Sequence, residues 1–266
     1  MTSTDLIAPG PPAWPGCALG SWTAAWLAGR CAPDDVTDTL SDFADRHDVV
    51  DTTDAARADD EHARLGLLAL LRRGERFSVR LPTAGDPQGL PPAPATAAAL
   101  SAGEILLVDR AEGTTLGLVP ELVGDTCRWS MYRYECLVTA ASTESLGQIE
   151  YDLREAIRET TDIVGALGSG GLKLSPAALR SALATLTARH QIALPPHDDA
   201  RASRVIDSAA RVEAIVTLAG AQAPTFGVTA GHVELADAGL RRLAAMARSA
   251  RAAAVNQVIG EYVAPG

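Results

Sequence analysis

Alternating apolar and polar residues in the first half of the chain predict the strands of a β-sheet. The alternating apolar residues are Phe77, Val79 and Leu81 in one segment and Cys127, Trp129 and Met131 in another. Two apolar runs, at 105–108 and 114–119, lie between these segments and are separated by turn residues. This pattern is typical of antiparallel strands with one buried face. We therefore expect about four strands, with Pro120 ending the strand at 114–119.

Helical spacing of apolar residues predicts helices before and between these strands. The predicted segments are Leu19–Leu27, Asp34–His47, Asp59–Arg73 and Ala95–Ala102. The proline-rich segment Pro82–Pro94 is expected to be a loop. Residues 1–18, which are rich in proline and glycine, are expected to form a flexible arm.

From Ser142 onward the pattern is helical throughout. The first helix carries apolar residues at alternating steps of three and four, as in a coiled-coil seam. The seam residues are Leu146, Ile149, Leu153, Ala156, Thr160, Ile163 and Leu167. Ser175-Pro176 is a typical helix start, Asp198 or Asp199 is expected to cap the following helix, and a long helix is expected over Ala230–Val258.

These elements predict an α+β fold with a small antiparallel sheet, N-terminal helices and an all-helical C-terminal bundle. We place an α+β domain at residues 19–137 and a helical domain at 138–266. At 266 residues the chain is long enough for one large or two small domains.

Charge and composition limit the classes of function. The net charge of −10, with acidic residues densest over Asp34–Glu61, disfavours binding to nucleic acid through its phosphate backbone. We find no apolar stretch long enough for a membrane span and no secretory signal, so we expect a cytoplasmic protein with reduced cysteines. The excess of alanine and arginine is typical of a bacterium with a high-GC genome.

Asp34, Asp35 and Asp38 form a DDxxD pattern. Such carboxylates on one helix face can hold Mg²⁺ and a diphosphate, as in all-helical prenyl-transferring enzymes. Acidic residues in a first helical turn are also favoured by the helix dipole. No second metal motif accompanies the pattern, so we interpret the segment as a solvated acidic face or a loop that binds a basic partner.

Other short motifs are incomplete. His47-Asp48 lacks the further ligands of an HD metal site, and the glycine-rich stretch 165–175 lacks the Gly-Lys-Ser order of a phosphate loop. The cysteines have no zinc-binding spacing. We therefore predict no metal, no cofactor and no catalytic residue, and leave open whether the protein is an enzyme.

Arginine and tyrosine residues indicate two possible interaction surfaces. Alternation places Arg128, Tyr132 and Tyr134 on one strand face, where they either bind a partner or the tyrosines pack beneath a C-terminal helix. Further arginines share helix faces and are expected to pair with the acidic segment: Arg201, Arg204 and Arg211 on one helix, Arg241 and Arg248 on another.

The resulting hypothesis is a non-catalytic adaptor or regulatory protein that binds a protein partner and forms a homodimer through the helical seam. The alternative is an enzyme or ligand-binding protein with a pocket between sheet and helices, near Arg128, Tyr132 and the Pro82–Pro94 loop. A DNA-binding regulator is the least favoured interpretation because of the acidic charge.

Overall fold

The computed structural model describes residues 12–52, 66–139, 144–167, 175–222 and 230–263. In these ranges it has five strands: β1 (Arg46–Asp51), β2 (Arg76–Arg80), β3 (Ile105–Asp109), β4 (Thr115–Val123) and β5 (Thr126–Tyr134). The helices there are α1 (Pro15–Leu27), α2 (Pro33–Ser41), α3 (Leu67–Leu71), α4 (Pro94–Ala102), α5 (Leu146–Leu167), α6 (Pro176–His190), α7 (Ala200–Gln222) and α8 (Ala230–Val263). The predicted α+β class and the helical C-terminal half are confirmed.

The strands form one mixed sheet in the order β1-β5-β4-β3-β2. Strands β2, β3, β4 and β5 pair with one another in antiparallel fashion, as predicted, whereas β1 lies parallel to β5 at one edge. The fifth strand replaces the end of the helix predicted over Asp34–His47. Helix α2 stops at Ser41, and the mostly exposed strand β1 offers only Val49 and Val50 as strand-forming residues.

Pro120 does not end β4, which continues to Val123. The prediction failed because β3 pairs with β4 only as far as Leu118. Beyond that residue β4 has a neighbour on one side, β5, and a proline is tolerated where no ladder partner needs its N–H.

Helix α1 begins at Pro15, four residues before the predicted start at Leu19. Trp14 and the first turn of the helix are buried, so the predicted arm over residues 1–18 is wrong for residues 14–18. The rest of that arm up to residue 11 lies outside the described residues. Helix α3 covers only Leu67–Leu71 of the predicted segment Asp59–Arg73, whose beginning also lies outside them.

Two predicted helix starts are confirmed by their capping hydrogen bonds. The Ser175 hydroxyl accepts a hydrogen bond of 3.2 Å from the Ala178 N–H, and Pro176 occupies the first helical position of α6. The Asp199 carboxylate accepts bonds from the N–H groups of Arg201 and Ala202, at 2.8 and 2.9 Å. Side-chain acceptors of this kind satisfy N–H groups that have no partner within the helix.

The sheet has a helical layer on each face. On one face, α4 packs with β3, β4 and β5 around Ile105, Leu107 and Tyr134. The other face, which carries the predicted buried residues Cys127, Trp129 and Met131, shares a larger core with α1, α2, α5, α7 and α8. One continuous core therefore joins the sheet to the C-terminal helices, while the division into two domains at residue 137 stays a prediction.

The predicted seam of α5 is partly used inside the chain. Leu153 is 2% exposed and Ala156 6%, and Leu146 and Ile149 pack against the same core. The side chains of the later seam residues Thr160, Ile163 and Leu167 lie outside the described set. The first half of the seam is thus filled by the chain's own helices and is not a free assembly surface.

Glu104 anchors α1 to the sheet. Its buried carboxylate accepts a 2.9 Å hydrogen bond from the Gly16 N–H and a further bond from the Cys17 N–H, at the start of the helix. A Cβ atom on Gly16 would lie 2.7 Å from the Glu104 Oε2, so the glycine allows the Glu104 side chain to lie against the start of the helix. Burial raises the pKa of Glu104 to about 8, although these N–H groups and the guanidinium groups of Arg248 and Arg251 favour the charged form.

This raised pKa predicts that the fold loses stability as the pH rises. The folded protein holds a proton on Glu104 up to about pH 8, whereas the unfolded chain releases it near the ordinary value of 4.5. The contribution of Glu104 to the free energy of unfolding is therefore fully present below pH 4.5 and falls between pH 4.5 and 8, by at most about 1.4 kcal/mol per pH unit.

Urea unfolding at pH 5, 6, 7 and 8 measures this slope. Glu104→Gln, which cannot titrate, should show a flatter profile; identical profiles for the two proteins would contradict the assignment.

In the described ranges no helix is long and apolar enough to cross a membrane.

Candidate functional site

A cleft of about 1040 Å³ lies beside the free edge of β2. Its walls are β2, the N-terminal turns of α5 and α7, and one side of α8, and the Pro82–Pro94 loop contributes Asp86 and Gln88. Ligand pockets in proteins have volumes of roughly 300–1,000 Å³, so the cleft is large enough for a metabolite-sized molecule.

Side-chain amides cover the free edge of β2 at the back of this cleft. The Asn256 amide accepts a 2.7 Å hydrogen bond from the Val79 N–H and donates one of 3.0 Å to the Val79 C=O. Gln88 pairs with Leu81 in the same way, at 2.8 and 3.0 Å. The two amides take the place of a sixth strand, and they fix α8 and the loop against the sheet.

Arg80 lies against the cleft in an unusual environment for a cation. The residue is 3% exposed, and its guanidinium donates to the backbone carbonyls of Val79 and Thr139 at 2.9 and 3.0 Å. Its Nε atom is buried without a hydrogen-bond partner. Burial lowers the pKa of Arg80, and the charge of Asp109 offsets this effect only in part. A buried cation that contacts neutral carbonyls favours the approach of an anion.

The nearest carboxylate, Asp109, is already bound by other groups. Arg76 holds its Oδ2 atom through two contacts of 2.8 Å. The Thr115 hydroxyl donates to Oδ1 at 2.7 Å, and the same hydroxyl accepts a 3.2 Å bond from the Val138 N–H. Asp109 therefore orders this wall of the cleft and makes no direct hydrogen bond with Arg80.

Other acidic side chains of the cleft have donors of their own. Asp199 caps α7, and Asp152 accepts a 2.8 Å bond from the Gln148 amide. Asp86 accepts from the Gln88 N–H at 2.9 Å and from the Ser249 hydroxyl at 3.5 Å. These contacts lower the capacity of the carboxylates to neutralise the arginines of the cleft.

Two helix N-termini meet at the opposite wall. The first turn of α5 contributes Ser145 and Gly147, and the first turn of α7 contributes Arg201 and Arg204. A Cβ atom on Gly147 would lie 3.1 Å from the Arg201 guanidinium, so the glycine allows that side chain to lie over the start of α5. Helix N-termini carry positive partial charge, and the two arginines add to it.

The predicted strand surface does not line this cleft. Tyr134 is buried beneath α4, and its hydroxyl lies 3.0 Å from the Thr96 hydroxyl. Tyr132 packs against the same cluster, whereas Arg128 is exposed and forms an ion pair with Glu121 at 3.7 Å. Tyr134 does pack beneath a helix, but this helix is α4 and not the predicted C-terminal one. The predicted pocket is right about the Pro82–Pro94 loop and wrong about Arg128 and Tyr132.

The predicted acidic residues lie elsewhere. Asp34, Asp35 and Asp38 are exposed on α2, which packs on the opposite face of the sheet from Tyr134. The Asp35 carboxylate accepts a 2.7 Å bond from the Ala32 N–H and so caps its own helix. The structure therefore does not bring the two predicted groups of residues together. Binding of a partner by either group stays a prediction.

His47 has a structural role. One ring nitrogen accepts a 3.1 Å bond from the Trp129 indole, and the other lies 3.0 Å from the Leu40 carbonyl. Within the described ranges, no group of three or more His, Cys, Asp or Glu side chains is placed to hold a metal ion.

Sequence reasoning missed Arg80 and Asn256 as residues of the cleft. Arg80 follows the alternating pattern of an exposed strand face, and only the tertiary packing shows that it is buried. Asn256 could have been recognised from the sequence, because it is a polar residue in the apolar stretch of the last helix. Arg201 and Arg204 were expected to pair with the acidic segment, whereas the structure places them at the cleft.

Comparison with known proteins identifies relatives over nearly the whole chain. A family model described as "Rv1486c-like protein, N-terminal domain" matches residues 16–144, and one described as "Rv1486c-like protein, C-terminal domain" matches residues 147–252. The uncharacterized protein Rv1486c of Mycobacterium tuberculosis is 33% identical, and the match covers 92% of this chain and 97% of the relative. The uncharacterized protein ML1804 of Mycobacterium leprae is 30% identical, with the same coverage of each chain. No solved structure matches the chain significantly.

Proposed function

We propose that this chain, which belongs to the Rv1486c-like protein family, binds a small molecule bearing a carboxylate or phosphate group in the cleft beside β2. The observation that carries the proposal is Arg80, a 3% exposed guanidinium whose Nε atom has no hydrogen-bond partner and whose direct acceptors among the described residues are neutral carbonyls. An anionic group is the ligand chemistry that would compensate this charge.

The opposite wall supports the same chemistry. Arg201 and Arg204 stand at the N-termini of α5 and α7, where the helix dipoles also favour an anion. Arg201 is already paired with Glu150, whose carboxylate lies 3.7 Å from its Nε atom, and Asp199 is engaged by two backbone N–H groups. Both walls of the cleft can therefore contact an acidic group.

The remaining lining supports a ligand with an apolar part. Val138, Ile149, Leu153 and Met246 contribute to the cleft between its two basic walls. Pockets that combine apolar walls with a few placed polar groups are typical of small-molecule sites. We therefore propose ligand binding as the role of the cleft.

The adaptor hypothesis is the second candidate, because two of the surfaces that it would use are partly or wholly buried. Part of the helical seam is buried inside the chain, and Tyr134 is covered by α4. The observation that favours it is the exposure of Val50 and Val123, at 40% and 46%, on the strands that flank the exposed Arg128. Native mass spectrometry of freshly purified protein separates the two candidates. Retained extra mass supports ligand binding, and a dimer without extra mass supports the adaptor.

A direct test uses three probes that share an apolar chain: hexyl phosphate, hexanoate and hexanol. Isothermal titration calorimetry should show binding of at least one anionic probe and none of hexanol. Arg204→Gln should weaken that binding about tenfold, since a lost charge-assisted hydrogen bond is worth roughly 1.5–3 kcal/mol. Arg80→Gln should weaken it at least as much.

Arg128→Gln is the matched control. It removes the same charge from the exposed sheet face outside the cleft, so the affinity should stay unchanged. Arg204 is exposed, and its substitution should leave the fold intact even if Arg80→Gln unfolds. Equal effects of Arg204→Gln and Arg128→Gln, or no binding of either anionic probe, would contradict the proposal.

A further inference from the structure

A buried polar cluster lies away from the cleft, around the side chain of Trp14. This residue precedes α1 in a left-handed backbone conformation, with φ 75°, and is 6% exposed. The guanidinium carbons of Arg248 and Arg251 lie 5.0 and 5.2 Å from its ring centroid, and the His190 ring lies at 6.1 Å. The start of α1 thus meets α8 and the end of α6 at one point.

Glu213 of α7 provides the negative charge of this cluster. It is 5% exposed and is hydrogen-bonded to Arg251, which is completely buried and also donates to the His190 carbonyl at 2.8 Å. The Arg248 Nε atom lies 3.9 Å from the Glu213 Oε1, and the His190 Nδ1 lies 3.7 Å from Oε2. Trp14, His190, Glu213, Arg248 and Arg251 therefore form one connected group of side chains.

Four polar atoms of this cluster are buried without a hydrogen-bond partner in the structure: Trp14 Nε1, Arg251 Nε, Glu213 Oε1 and His190 Nδ1. Seven side-chain atoms in the described part of the chain are in that state, so more than half of them belong to one cluster. Each such atom costs about 1–3 kcal/mol if it stays unpaired. Their concentration in one place indicates a shared partner.

We propose that this cluster is a binding site for ordered water, which links α1, α6, α7 and α8 through these four atoms. The indole and the Arg251 Nε are donors, whereas the Glu213 oxygen and a neutral His190 nitrogen are acceptors. Water is the small molecule that both donates and accepts two hydrogen bonds. An anion would leave the acceptors unpaired, and a cation would leave the donors unpaired.

The protonation of His190 agrees with this assignment. Burial, together with the positive charges of Arg251, Arg189 and Arg248, lowers the pKa of His190 to about 4. The ring is therefore neutral near pH 7, and the tautomer that carries its proton on Nε2 leaves Nδ1 as an acceptor. Buried waters in proteins typically make two to four hydrogen bonds, which matches the number of atoms available here.

The test uses NMR of ¹⁵N-labelled protein. It measures the transfer of magnetisation from water to the indole N–H groups of the tryptophans. The resonance of Trp14 is identified by its loss in Trp14→Phe, which keeps an aromatic ring between the two arginines. We expect a direct cross-peak from long-lived water to the Trp14 indole hydrogen. Trp129 is the internal control, because its indole is satisfied by His47 at 3.1 Å and should show no such cross-peak.

Three outcomes would overturn the proposal. They are a Trp14 indole without a water cross-peak, a water cross-peak of equal strength at Trp129, and an anomalous diffraction signal from bromide at the cluster in soaked crystals. The last result would show that the site takes an anion. The proposal does not depend on the cleft, and the same spectra remain interpretable if no ligand binds there.

Discussion

Replacing Arg251 with methionine will lower the free energy of unfolding by about 3–5 kcal/mol. Arg251 is fully buried and holds both the Glu213 carboxylate and the His190 carbonyl. Its removal leaves a buried carboxylate whose remaining basic neighbours, Arg248 and His190, lie 3.9 and 3.7 Å away, too distant for a hydrogen bond. Urea unfolding followed by circular dichroism measures the change.

The control for this experiment is Arg46→Met. Arg46 forms a 2.9 Å ion pair with Asp125 in which both side chains are more than half exposed. Exposed pairs contribute about 0–1 kcal/mol, so this variant should be nearly as stable as the parent. The double variant Arg251→Met/Glu213→Leu should recover much of the loss, because it removes both charges. If Arg251→Met and Arg46→Met have equal effects, the buried pair does not have the assigned role.

Replacing Asn256 with alanine should lower the free energy of unfolding by roughly 2 kcal/mol, since it leaves the Val79 N–H without its partner and the Val79 C=O with Arg80 as its remaining donor. It should also expose the edge of β2, and unpaired strand edges promote association between molecules. We therefore expect concentration-dependent self-association in sedimentation velocity. Hydrogen exchange of the Val79 amide should become at least about tenfold faster.

Gln257→Ala is the matched control for Asn256→Ala. It removes a side-chain amide from the neighbouring position of α8, which is exposed and makes no described contact with β2. This variant should remain monodisperse if the parent is, and its Val79 amide should exchange at the parent rate. An Asn256→Ala protein that exchanges at the parent rate would show that the amide does not protect the strand edge.

The central strands could be predicted from sequence because their side chains differ on the two faces. In β5, Cys127, Trp129 and Met131 face the large core, and the polar residues between them face the other way. The edge strand β1 could not be recognised in the same way. It has one neighbouring strand and little buried surface, so its sequence lacks the apolar alternation.

The buried charges were also beyond sequence reasoning. Arg248 was expected to pair with the acidic segment, and Arg251 lies on the same arginine-rich helix. Both instead lie against Trp14, a residue more than two hundred positions earlier. Burial of a charge depends on such distant partners, because neither arginine could be desolvated without Glu213 or the carbonyls around it. Arg80 of the candidate site could not be identified from sequence for the same reason.

The side-chain amide of Asn256, which covers the free edge of β2, is synthesised long after the strand itself. Strand β2 leaves the ribosome long before Asn256, which lies 177 residues after Val79. Throughout that interval the edge of the nascent sheet lacks the Asn256 amide, while Gln88 can already cover Leu81. Nascent chains with open strand edges are prone to misassembly and are bound by chaperones. We therefore expect chains stalled between residues 139 and 250 to depend on chaperones for solubility, and chains extended past α8 to be released from that dependence.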